Sequence, residues 1–128
     1  MFLLDTCTLL WLTTDLKSLG KNARRIIEDG SNKLFVSPIT AFEIGIKSQK
    51  RKLILPMKLE EWYPKTLLHY GLLECPLNGE IMISATHLPQ HHTDPADRIL
   101  IATALKEGMI LLSPDPLIQK YSAQVVWE

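Results

Sequence analysis

Short contiguous apolar runs alternate along this chain with longer segments whose apolar positions recur every three or four residues. Residues 2–4 form such a run and end at Asp5, which predicts a buried first strand, with a helix over 6–12 after it. Residues 20–29 place Ala23, Ile26 and Ile27 on one helical face, and Gly30 supplies a stop. Residues 34–36 read as a second strand. Ser37-Pro38 then suits a helix start, serine as N-cap and proline at the first helical position, with the helix running to about residue 50.

A further helix is predicted over 59–70, weakened or kinked by Pro64, then a strand over 72–75 and a helix over 79–87. The best-patterned helix covers 95–106 and is closed by Gly108. Residues 109–112 and 125–127 supply the last strands. Strands alternating with helices predict an α/β architecture around a mainly parallel sheet. No repeat, low-complexity tract or linker interrupts residues 1–128, which are expected to form a single domain.

Composition narrows the function classes. The 128 residues are 46% apolar, enough for a proper core, yet no run approaches the roughly 18 to 20 apolar residues of a membrane span. The apolar N-terminus carries Asp5 and lacks a basic leader and a small-residue cleavage site, so a secretory signal is not expected. Cys7 and Cys75 stand alone, outside any metal or redox spacing, and read as buried thiols of a reducing cytoplasm. The formal net charge is zero, against a general nucleic-acid binder; any such role must use a local basic patch.

The chemistry lies in the carboxylates. Asp5 ends the first strand and Asp115 follows the late strand in "MILLSPD", where open parallel sheets carry their sites. Asp94 and Asp97 begin the helix that leads into that late strand. Glu43 sits among Ile39, Phe42, Ile44 and Ile46, an apolar setting in which a carboxylate needs a partner. Each acid also has a local role open to it. Asp5 could cap the following helix, Glu43 could pair with Lys47 one turn on, Asp94 and Asp97 could form a cap, and Asp115 could serve the turn "SPDP". Gathered in one pocket, such acids repel one another, and a hard divalent cation removes that cost. It would also supply the two requirements of phosphodiester hydrolysis, an acidified water and a clamped phosphoryl oxygen.

"FLLDTCTLLWL", "VSPITAFEIGIK", "LPQHHTDPADRILIATALKEGMILLSPD" and the closing "IQKY…VVWE" follow one another along nearly the whole chain. In that order they resemble the PIN-domain ribonucleases, most closely the VapC-type toxins of prokaryotic toxin–antitoxin pairs. The resemblance implies a PIN-like three-layer α/β/α fold with a short, mainly parallel central sheet. It also implies a metal-dependent endoribonuclease whose Asp5, Glu43, Asp97 and Asp115 hold one or two Mg²⁺ or Mn²⁺ ions. Asp94 matches the first acid of a "D-P-x-D-R" variant and is expected to support the site, as are Thr6 and Ser113 beside the acids. An RNA substrate, a cognate antitoxin, a homodimer and a prokaryotic cytoplasm are further implications. Two departures stand out: Phe42 replaces the usual tryptophan, and Pro114 and Pro116 bracket Asp115.

For RNA contact the densest basic run is Lys47, Lys50, Arg51 and Lys52, with 47, 50 and 51 expected on one helical face, though cations at a helix C-terminus also stabilise the helix itself. Arg98, next to Asp97, is expected to pair with an acid or a phosphate. Trp62-Tyr63 is the expected exposed aromatic surface, whereas Trp11 and Trp127 are expected to bury the termini. His91 and His92 precede the acids without the spacing of helical zinc ligands. Two other classes compete with the nuclease. One is a catalytically degenerate PIN-fold module that only binds RNA or protein. The other is a phosphatase of the haloacid dehalogenase type, which needs a second aspartate where this chain has Cys7.

Overall fold

The computed structural model describes residues 1–91, 93–121 and 123–128. Five short strands make the sheet: β1 (Phe2–Leu4), β2 (Leu34–Val36), β3 (Leu72–Glu74), β4 (Ile110–Leu112) and β5 (Val125–Val126). Their order is β3-β2-β1-β4-β5 and every ladder is parallel. Six α-helices connect them: α1 (Thr6–Thr14), α2 (Lys21–Glu28), α3 (Pro38–Gln49), α4 (Leu59–Tyr70), α5 (Gly79–Thr86) and α6 (Pro95–Glu107). Pro64 lies inside α4, which nonetheless continues to Gly71 in the left-handed conformation. Among the described residues no helix is long and apolar enough to cross a membrane.

The strand pleat sends alternate side chains to opposite faces, and each face has its own core. Leu4, Leu34, Val36, Leu72 and Leu112 share one face and pack with Leu9 and Leu12 of α1, Ala23 of α2, Ile44 of α3 and Trp62 of α4. Leu3 and Leu111 face the other way, onto Leu100, Ile101 and Ala104 of α6. Helix α5 is an outer layer on α6, where Ile81 and Ala85 meet Ile99 and Ala102. The result is the helix–sheet–helix layering expected of the chain.

Two tryptophans close the termini. Trp11 and Trp127 pack with ring centroids 5.7 Å apart, and the Trp127 carbonyl accepts from Ala23 N–H at 2.9 Å. A Cβ on Gly20 would stand 2.3 Å from that carbonyl oxygen, so only glycine lets the C-terminal segment approach α2 so closely. Trp62 corrects an expectation. It is only 5% exposed and belongs to the core under α4, because its helical position faces the sheet. Its neighbour Tyr63 is half-buried and donates to Glu74 at 2.7 Å. Two short 3₁₀ turns, Leu16–Ser18 and Ile118–Lys120, have no counterpart in the periodic pattern, since one turn is too short to carry a period.

The strand order positions the site. The chain winds outward from β1 to β3 on one side, then returns to add β4 and β5 on the other. The switch point lies between β1 and β4, where ligands bind beyond the strand carboxyl ends in open α/β sheets. Leu4 pairs with Leu112, so Asp5 and Ser113 emerge side by side at that end.

Candidate active site

Asp5 is buried, 4% exposed, at the junction of β1 and α1. Its Oδ1 accepts from Thr8 N–H at 2.8 Å, from the Thr8 hydroxyl at 2.6 Å and from the Cys7 thiol at 3.3 Å. Thr8 Oγ1 also lies 2.7 Å from the Leu112 carbonyl, so its one proton is shared between that carbonyl and Asp5 Oδ1 where α1 meets the end of β4. All three donors converge on Oδ1. Among the described residues no buried side-chain oxygen lacks a partner, so the second oxygen of Asp5, on which no donor acts, opens to solvent. The local capping role thus falls on one oxygen of the carboxylate and leaves the other outside the cap.

Glu43 reaches the same corner from α3, a helix started by Ser37, whose Oγ accepts from Ile39 N–H at 3.2 Å, and by Pro38. Half-buried, Glu43 accepts on Oε1 from the Thr6 hydroxyl at 2.5 Å. Thr6 Oγ1 lies 3.1 Å from Thr40 Oγ1, one turn before Glu43 on the same helix. Among the described residues Glu43 makes no ion pair with Lys47, so the pairing open to it from spacing gives way to a hydroxyl on α1.

Helix α6 carries the next acids. Asp94 is its N-cap, with Oδ1 accepting from Ala96 N–H at 2.9 Å and from Asp97 N–H at 3.4 Å. Asp97 stands half-buried in the first turn. Asp5 and Asp97 both act electrostatically on Cys7. Burial pushes its thiol well up, the Asp5 carboxylate and hydrogen bond push it further, Asp97 adds to this, and Lys47 opposes it. The fields of Asp5, Asp97 and Lys47 therefore overlap at one half-buried sulfur.

Asp115 is half-buried beyond β4. Its N–H donates to Ser113 Oγ at 3.2 Å, and its Oδ1 accepts from Leu117 N–H at 2.9 Å, so this oxygen organises the proline-flanked turn. Ser113 is fully buried next to Asp5. Arg98 has gone elsewhere. Its guanidinium, 9% exposed, donates to the carbonyls of Ala85, Leu88 and Pro89 at 2.8 to 3.1 Å and clamps the end of α5 to α6. These bonds direct its charge at backbone oxygens. His91 is exposed and packs edge-on to Tyr121 at 5.1 Å, whereas His92 lies outside the described residues.

The basic run divides. Helix α3 stops at Gln49, Arg51 N–H donates to Ser48 O at 3.1 Å, and Lys52 N–H donates back to Lys47 O at 2.9 Å. This is a Schellman closure in which Arg51 takes the left-handed position, φ 57°, usually given to glycine. The reversal takes Arg51 off the face it was expected to share. Lys47, Lys50 and Lys52 instead line a groove of about 350 Å³ with Glu43, the exposed Phe42 and Pro95.

The whole chain can be set beside known proteins. A model of the PIN domain matches residues 2–123. The chain belongs to the PIN domain family. It is 25% identical over 120 residues to Ribonuclease VapC22 of Mycobacterium tuberculosis, covering 93% of this chain and 90% of that one. The solved VapBC2 complex of Rickettsia felis, bound to a promoter DNA fragment, superposes with a TM-score of 0.69 at 13% identity, covering 99% of this chain and 98% of the other. A toxin–antitoxin complex from Klebsiella pneumoniae gives 0.66 at 19% identity, with 98% and 96% covered. At these identities the two structures speak for the fold.

The donor set in this PIN fold suits a hard cation. Among the described residues, Asp5 and Glu43 each have one oxygen held by protein donors and a second on which no donor acts. Among the described residues no group of three or more His, Cys, Asp or Glu side chains is gathered tightly enough to cage a metal. Mg²⁺ does not require a cage: one or two carboxylates plus waters and substrate phosphate suffice. Spacing alone did not single out Cys7, Thr8 and Thr40 as neighbours of the acids. Thr8 was the most findable, a hydroxyl three residues after an aspartate cap.

Proposed function

We propose that this chain is an endoribonuclease that hydrolyses RNA phosphodiester bonds with Mg²⁺ or Mn²⁺ and acts as the toxin of a toxin–antitoxin pair. The observation that carries the reading is the paired arrangement of Asp5 and Glu43, each with one fixed and one available oxygen, at a corner where Asp97 also acts on Cys7. Membership of the PIN family and the likeness to a protein named as a ribonuclease support it.

In this reading Asp5, Glu43, Asp97 and Asp115 hold the cation, which when bound supplies Lewis acidity to the phosphodiester and a more acidic water. The chain's own part is positioning. Thr8 and the start of α1 fix Asp5, Thr6 fixes Glu43, the Asp94 cap sets the depth of Asp97, and Ser113 orients Asp115. Lys47, Lys50 and Lys52 contribute phosphate contacts along the groove that Glu43 and Asp94 also line, and Phe42 offers a ring to an unpaired base. An antitoxin partner fits the likeness to the toxin–antitoxin complex from Klebsiella pneumoniae. A homodimer and a cytoplasmic setting complete the proposal.

The test is cleavage of RNA by the purified chain. Activity should require Mg²⁺ or Mn²⁺, stop with chelator, and disappear in Asp97→Asn. Cleavage that survives chelation would sink the mechanism. The loose gathering of the acids favours one second reading, a module that binds RNA without cutting it. RNA retained and intact in Mn²⁺, with no metal bound by calorimetry, would establish that instead.

A further inference from the structure

The hydroxyls behind Glu43 form a chain with a determined direction. Thr6 has one proton and gives it to Glu43 Oε1 at 2.5 Å, since an ionised carboxylate only accepts. Its contact with Thr40, 3.1 Å away, must then run the other way, with Thr40 donating. Thr40 is fully buried and Thr6 is 5% exposed, so water does not compete for either hydroxyl. The order Thr40 to Thr6 to Glu43 links one turn of α3 back onto itself through the first residue of α1.

Such a chain has a consequence for ligation. With Oε1 held by Thr6, Glu43 presents its other oxygen to a cation without a competing donor among the described residues. Asp5 is built alike, with Thr8 and Cys7 all acting on Oδ1. Two one-oxygen carboxylates suit a small octahedral ion that keeps several waters. Ca²⁺ takes six to eight oxygens at longer range and readily uses both oxygens of a carboxylate.

We propose that Thr6 and Thr40 are positioning residues that hold Glu43 as a one-oxygen ligand and so set the preference of the site for Mg²⁺ and Mn²⁺ over Ca²⁺. This rests on the metal-site reading above and adds a regulation of which ion the site accepts.

The experiment titrates the full chain, stripped by chelator, with Mn²⁺ followed by electron paramagnetic resonance, alone and against Ca²⁺. Melting temperatures establish that each variant is folded. Thr6→Val should lower the Mn²⁺-to-Ca²⁺ affinity ratio about tenfold, the scale of one hydrogen bond to a charged group. Thr40→Val, which removes the donor behind Thr6, should lower it in the same direction by less. Thr6→Ser and Thr40→Ser keep the hydroxyls and should restore the ratio, which a merely structural role would not require. If Thr6→Val does not fold, Thr40→Val and Thr6→Ala carry the test. An unchanged ratio in the folded hydroxyl-less variants overturns the inference and leaves the metal site standing. Absence of Mn²⁺ binding in the unaltered chain overturns both.

Discussion

Helices α1 and α6 both begin at an aspartate cap beside the same acidic corner, yet they divide the work differently. At α1 a single residue does everything: Asp5 Oδ1 caps the helix through Thr8, and the second oxygen is left for the site. At α6 the roles are separate residues, with Asp94 capping and Asp97, three positions on, presented by the helix that the cap starts. The difference follows from burial. Asp5 is enclosed by β1, β4 and α1, where a second buried acid would have to be desolvated, whereas Asp94 is exposed and can cap at little cost.

The comparison breaks most visibly under amide substitution. Asparagine caps as well as aspartate but carries no charge. Asp5→Asn should therefore keep a melting temperature near that of the parent and lose RNA cleavage by about two to three orders of magnitude, a loss of several kcal/mol of charge stabilisation. Asp97→Asn should match it in activity. A large fall in stability for Asp5→Asn, measured by thermal unfolding, would mean that its charge holds the fold as well as the site.

These two corners also show what was legible in the sequence. The "DPAD" stretch announced its cap and its helix because capping chemistry is local: residue type and spacing carry it. The strand and helix order was readable for the same reason, with Leu59–Tyr70 and Leu34–Val36 matching residue for residue. What could not be read was contact between distant segments. Glu43 and Thr6 lie 37 residues apart, so the local rule offered Lys47 as a partner while the fold supplied a hydroxyl. Arg98 likewise meets distant carbonyls, of Ala85 in α5 and of Leu88 and Pro89 in the α5–α6 connection, which its place beside Asp97 did not announce. Trp62 was expected at the surface together with Tyr63, yet its helical face turns to the sheet.

Thr8 sharpens the α1 side of the comparison. Its hydroxyl is fully buried and bridges Asp5 Oδ1 to the Leu112 carbonyl, joining the cap to β4. Thr8→Val keeps the shape and removes the bridge, so it should cost about 1 to 3 kcal/mol in denaturant unfolding, the range for stranding a buried hydrogen-bonding group. It should also lower cleavage, because the same hydroxyl fixes Asp5. At the cap of α6, Asp94→Ala should cost about 1 kcal/mol, the usual worth of an N-cap, with activity falling as far as the first turn of α6 frays.

The smallest expected effect decides the division of labour. Asp94→Asn retains an acceptor for the Ala96 and Asp97 N–H groups and gives up the favourable position of a charge at a helix N-terminus. That charge is worth about 0.3 to 1 kcal/mol and is screened by salt, so the loss should shrink as ionic strength rises. Cleavage should stay within a few-fold of the parent if, as proposed, the charge that acts on the cation is that of Asp97. The pair to compare is Asp94→Asn with Asp5→Asn, the same chemical change at the caps of two helices that meet at one corner. If Asp94→Asn abolishes cleavage as Asp97→Asn does, with the helix still formed, the two α6 acids act together and the separation of cap from site fails. If it does not, the cap of α6 is a support that α1 had no room to build.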